Sequence, residues 1–185
     1  MISVYILRLF VAILVCLPVY LLIRRPWRFS CRREIVLGVF VLFMAALLFL
    51  TLQGTYGMPK DAIEYARWRI QNWQAYGVNL IPFRTICSIF KYGSIDQIMI
   101  NLVANVLMFV PWGFGLPLLW KKFQSVWAVM AASLLITVFI ETWQLFIGRS
   151  VDVDDIILNF FGGCIGGVLY SLTRKLAPDI EKLAE

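Results

Sequence analysis

The sequence predicts an all-α membrane protein: a five-span transmembrane helix bundle with a short interfacial helix in an outer loop. Three observations carry that prediction. Apolar residues make up 61% of the 185-residue chain, only 15% are charged, and the mean hydropathy is +0.81, whereas a soluble core of this size is built from amphipathic segments. The apolar runs are continuous and do not alternate with polar residues, which excludes a transmembrane β-barrel. Lys and Arg gather in short segments beside the runs, as they do in cytoplasmic loops. This placement accounts for the net charge of +6 with no nucleic-acid partner.

The first run covers about residues 4–23, with Arg8 near enough to its end to snorkel. A cleaved signal peptide fits poorly, because no cationic start and no small-residue cleavage site are present. Arg24, Arg25, Arg28, Arg32 and Arg33 follow and mark a cytoplasmic loop, which puts the N-terminus outside. The second run, about 35–52, returns outward, so residues 1–52 are expected to hold two N-terminal spans.

Residues 53–96 form an extracytoplasmic interfacial segment. Pro59 is placed to open a helix, with Asp61 and Glu64 in its first turns, favourable to the helix dipole. Ala62, Tyr65, Ala66, Ile70 and Trp73 share one face, and Arg67 and Arg69 lie elsewhere. The expectation is a helix lying on the outer membrane surface; a helix packed on the bundle is the competing reading. Tyr76-Gly77 ends it. Pro82 holds Ile81 extended, so Asn79–Ile86 tucks against the bundle as an apolar loop.

Residues 97–172 carry three further spans. The third, about 97–120, contains Pro111, Gly113 and Gly115 and is expected to kink there. Lys121 and Lys122 mark the inside. The fourth, about 126–147, exits into an outer turn, and the fifth, about 156–172, re-enters and ends at Arg174-Lys175. Residues 173–185 form a cytoplasmic tail. Gly162-Gly163 and Gly166-Gly167 make two overlapping small-x-x-x-small pairs, read as close packing of the fifth span. Trp112, Trp120, Trp127 and Trp143 read as interface anchors or bundle packing.

The chemistry concentrates in residues 141–163. Ionisable groups at the edge of hydrocarbon cost roughly 2.5–3.5 kcal/mol each on insertion scales, so Glu141, Gln144, Arg149, Asp152, Asp154, Asp155 and Asn159 need partners or a task. Counting depth at about 1.5 Å per residue puts Asn101, Asn105, Glu141, Gln144 and Asn159 in one outer-leaflet slab, with Arg149, Asp152 and Asp155 on the turn above. In the bland reading Asp155 caps the fifth span, Asp152 pairs with Arg149, Asp154 is solvated, and Glu141 pairs with Arg149 or an amide. In the functional reading these groups line a pocket, with Glu141, Asp152 and Asp155 as candidate catalytic carboxylates. The chain contains no histidine, so histidine-based catalysis and metal binding are excluded. The cysteines Cys16, Cys31, Cys87 and Cys164 are scattered, without disulfide or zinc spacing. Mg²⁺ or Mn²⁺ suits oxygen ligands, but the cluster matches no metal template, and no cofactor is assigned.

Asn79-Leu-Ile-Pro-Phe83, Asn105-x-x-x-Phe109-x-Pro111-x-Gly113, Glu141-x-x-Gln144 and Asp152-x-x-Asp155-x-x-x-Asn159-x-x-Gly162 together resemble the VanZ-like family over about residues 79–170. Phe160 stands where a small residue is expected and narrows the proposed pocket. The family's name member is associated with low-level resistance to teicoplanin, a lipoglycopeptide that acts on cell-wall precursors outside the membrane. The resemblance therefore implies a bacterial cytoplasmic-membrane protein acting at its outer face, and adds Asn79, Pro82 and Phe83 as a lid. The expected ligand is a membrane lipid or lipid-linked cell-wall precursor. An intramembrane enzyme acting on a lipid headgroup or lipid-linked sugar is the alternative. A transporter ranks below both, because no second polar site lies near the inner face.

Overall fold

A computed structural model describes residues 31–53, 60–73 and 77–184. The first predicted run, most of the arginine-rich loop, Pro59 and Tyr76 lie outside them. Among the described residues, four helices are long and apolar enough to cross a membrane: α1 (Cys31–Leu52), α4 (Ile95–Leu119), α5 (Val126–Phe146) and α6 (Val153–Leu176). They match the second to fifth predicted runs. Two short helices, α2 (Ala62–Gln71) and α3 (Arg84–Tyr92), lie between α1 and α4. Two-residue strands β1 (Val78–Asn79) and β2 (Val151–Asp152) pair in parallel, Val78 with Val151 and Asn79 with Asp152.

The bundle is built on the contact between α4 and α6. A side chain at Gly162 or Gly166 would run into the Val106 and Val110 carbonyls of α4, and one at Gly113 into the Gly163 carbonyl. Gly163 and Gly167 face Ser133 and Val129 of α5. Each small-x-x-x-small pair therefore serves a different neighbour, and the absent side chains let the backbones approach. Phe109, Leu119, Ile140 and Tyr170 are buried around this contact. α1 closes one side, with Phe40 packed near Leu116 and Leu119, and Leu47 near Phe109 and Ile140.

α2 packs against the bundle through Ala66 and Arg69, its buried residues, and leaves Ile63 and Ile70 exposed. α3, a helix with no buried residue, begins within the Asn79–Ile86 segment read as loop; Ile86, Ile89 and Phe90 form its apolar stripe and Phe90 is exposed. In α4 the helix continues through Pro111 and Pro117. Its departure from α geometry comes earlier, at Ile98–Val103, where the Ala104 amide reaches the carbonyl of Met99, five residues back. Beyond α6, the chain folds into a short 3₁₀ turn, and Arg33 Nε donates to the Leu183 carbonyl at 3.1 Å. The tail is therefore tied back to the start of α1.

Candidate functional site

Helix ends leave carbonyls and amides without partners, and this protein fills its ends with the polar residues of one region. At the C-terminus of α1, Gln144 Nε2 donates to the Thr51 carbonyl (3.2 Å), Trp143 Nε1 to that of Leu52 (3.2 Å), and Arg149 Nη1 to that of Leu50 (2.7 Å). At the C-terminus of α5, Arg69 reaches the Gln144, Leu145 and Arg149 carbonyls at 3.3, 2.9 and 2.5 Å. A guanidinium suits this position, where the helix dipole presents partial negative charge. Burial pulls the Arg69 pKa below its ordinary value, opposed by the neighbouring Tyr65.

The N-terminus of α6 is an acidic knot. Asp152 caps it, accepting from the Asp154 amide (2.9 Å) and from Asn79 Nδ2 (2.8 Å) on one oxygen, and from the Thr85 hydroxyl (2.5 Å) on the other. Asp154 is fully buried. Its oxygens accept from the backbone amides of Phe83, Thr85 and Ile86 at 2.5, 2.8 and 3.0 Å. It therefore fills the N-terminus of α3 as an anion would. Phe83 adopts φ 64°, a left-handed conformation uncommon for a side-chain-bearing residue, and its amide is one of the three donors to Asp154.

The expected pairings are thus corrected. Asp154 is not solvated; it is the most buried of the acidic residues on this turn. Asp152, not Asp155, caps α6. Arg149 is directed at α1 carbonyls and not at Asp152. Glu141 is met by a backbone amide, with Oε2 accepting from Asp152 N at 3.0 Å. Asp155 accepts from Asn105 Nδ2 at 2.8 Å, and the same Asn105 amide donates to the Asn101 carbonyl.

Beside the knot lies a cavity of about 560 Å³ between the ends of α1, α4, α5 and α6. Of the residues singled out from sequence, Asn105, Glu141, Gln144, Arg149, Asp155 and Asn159 line it. Asn79, Pro82, Phe83, Asn101 and Asp152 do not. Asn79 is engaged in the knot, and Pro82 and Phe83 are exposed. Asn101 and Asp152 line a second cavity of about 300 Å³, which shares Asp155 with the first. Asn101 and Asn105 are four apart, yet the wide turn at Ile98–Val103 places them at different cavities. Thr51, Gln53, Met108 and Ile140 also line the larger cavity and were missed, since nothing in their residue types separates them from ordinary span residues. Thr85 was missed for the same reason. Among the described residues, no three potential metal ligands come together.

Within the larger cavity the hydrogen bonds are incomplete. Asn159 is 4% exposed, and its Oδ1 has no partner among the described residues; Gln53 Oε1 is likewise buried without one. Asn105 and Gln144 direct their amide donors to acceptors already in the wall.

The VanZ/LLP1 family matches residues 37–174. The chain belongs to that family. It is 26% identical over 139 residues to Protein VanZ of Enterococcus faecium, covering 75% of this chain and 74% of that protein. No solved structure matches it significantly. The VanZ/LLP1 match extends the resemblance seen from sequence upstream into α1, and so includes Thr51 and Gln53, the α1 side of the cavity. Both the acidic knot and the cavity lie inside the family region, in a multi-pass membrane protein.

Proposed function

We propose that this VanZ-family protein sits in the bacterial cytoplasmic membrane and binds a membrane lipid or lipid-linked cell-wall precursor at the outer leaflet. In doing so it lowers susceptibility to teicoplanin-type lipoglycopeptides. The observation that carries the reading is the polar cavity itself: Glu141, Gln144, Asn105, Asp155 and Asn159 surround one space between helices apolar enough to span a membrane. Burying such groups without partners is costly, so a ligand that completes their hydrogen bonds stabilises the assembly. The orientation is supported by charge. Lys121, Lys122, Arg174 and Lys175 flank the helix ends opposite the cavity, and the arginine-rich segment precedes α1.

Drug susceptibility of cells carrying Glu141→Ala, Asp155→Ala or Asn105→Ala tests it. Each variant, inserted at normal levels, is expected to lose protection against teicoplanin. Unchanged susceptibility in all three would sink the reading.

The alternative is an intramembrane enzyme acting on a lipid headgroup or lipid-linked sugar. It is favoured by one observation, that Glu141 and Asp155 line the same cavity, as a carboxylate acid–base pair requires. Asp152 leaves the candidate set, because both its oxygens are taken within the knot. Turnover of a lipid panel by the purified protein, abolished in Glu141→Gln, would establish this alternative.

A further inference from the structure

The geometry points to a ligand carrying a primary ammonium group, seated in the larger cavity among Glu141, Asp155 and Asn159. This rests on the cavity-binding reading above and names the chemistry of what binds. Three observations converge on it.

The first is charge. Glu141 and Asp155 line the cavity, and neither makes an ion pair with a described residue. Arg149, the one cation in the lining, directs Nη1 to the carbonyls at the end of α1. Two acidic side chains thus share the space with one guanidinium that pairs directly with neither, and in a low-dielectric setting one further cation is the group that offsets the remaining charge.

The second is hydrogen-bond sense. Glu141 Oε2 accepts from Asp152 N and Asp155 Oδ1 from Asn105, which leaves Oε1 and Oδ2 without donors from the described residues. Asn159, which lines the same cavity, has a buried Oδ1 with no partner among the described residues. The open positions on the two carboxylates, and Asn159 Oδ1, are acceptors, so a ligand seated among these three oxygens donates. A primary ammonium brings three N–H donors and no acceptor, one for each oxygen. A quaternary ammonium carries the charge without the donors.

The third is extent. A cavity of about 560 Å³ lies within the range of small-molecule sites and holds more than an ammonium. Arg149, on the rim with Nε and Nη2 outside any hydrogen bond to the described residues, is placed for an adjacent phosphate. Ammonium and phosphate on one short linker are the pattern of a phosphoethanolamine headgroup. The same chemistry is carried by a soluble amino-phosphate, and the two sources are separable by experiment.

The full chain, purified and placed in nanodiscs of defined composition, is assayed for retained lipid by native mass spectrometry. Phosphatidylethanolamine is expected to be retained at least tenfold over phosphatidylcholine and phosphatidylglycerol. Glu141→Gln and Asp155→Asn, which keep side-chain shape, should each abolish that preference while eluting as folded protein. Soluble phosphoethanolamine is the second arm: retention of the lipid, with the soluble compound only competing, assigns the site to a lipid headgroup. Binding of the soluble compound without retention of the lipid keeps the ammonium but overturns the lipid as its source. Equal retention of phosphatidylglycerol, still lost in Glu141→Gln, overturns the ammonium and leaves the cavity reading standing. Retention that no cavity variant alters overturns both.

Discussion

Two groups of carboxylates meet around the start of α6, and they are treated in opposite ways. Asp152 and Asp154 have every oxygen occupied by donors from within the chain, six contacts in all counting the cap. Asp155 and, across from it on α5, Glu141 each receive one donor and keep one oxygen open to a cavity. Adjacent residues of one type thus split between holding the fold and facing outward from it. A buried anion with several charge-assisted hydrogen bonds is a structural element. A buried anion left partly unmet is a position kept for something else, because the protein accepts a desolvation penalty there that it avoids one residue away.

The contrast predicts an order of stabilities in detergent, measured by equilibrium unfolding with the same detergent throughout. Asp154→Ala should show the largest loss, about 3 kcal/mol or more, since it leaves three backbone amides of the α3 start without an acceptor. A loss below about 1 kcal/mol would mean that the knot does not hold the loop. Arg69→Met should follow at about 2 kcal/mol, by uncapping the α5 carbonyls. It should also raise proteolysis of the 60–73 segment, which α2 anchors through that side chain; an unchanged cleavage pattern would remove Arg69 from this role. Asn79→Ala should cost about 1 kcal/mol, one hydrogen bond of the knot. Asn159→Leu should lie within about 0.5 kcal/mol of the wild type, or be slightly stabilising, because its amide oxygen has no partner to lose. If Asn159→Leu destabilises more than Asn79→Ala, the division into a closed knot and an open cavity is broken. If it leaves stability intact and removes drug protection, the division is sharpened.

The same contrast explains what was legible in the sequence. The four described spans were readable because each is a continuous apolar run, and run length sets span length directly. The glycine pairs were readable as packing faces because spacing of four selects one helix side. The cavity was partly readable: depth along a helix follows from counting residues, which puts Asn105, Glu141, Gln144 and Asn159 in one slab with Asp155 on the turn above, and all five line the cavity. Asn101, counted into the same slab, lines the neighbouring cavity, and the wide turn at Ile98–Val103 lies between it and Asn105 with no residue type that announces it. The lid expected at Asn79–Phe83 turned out to be the other half of the knot.

The chain by itself therefore determined which segments are apolar enough to cross a membrane, which polar groups share a level, and that those groups needed partners. Tertiary structure alone decided the partners. Asp154 is met by amides about seventy residues away, 71 to Phe83 and 69 to Thr85, and Arg149 by a carbonyl 99 residues away. Composition and periodicity describe a helix along its own axis. They do not say which neighbour its polar face meets, and in a low-dielectric interior that meeting decides whether a carboxylate holds the fold or waits for a ligand.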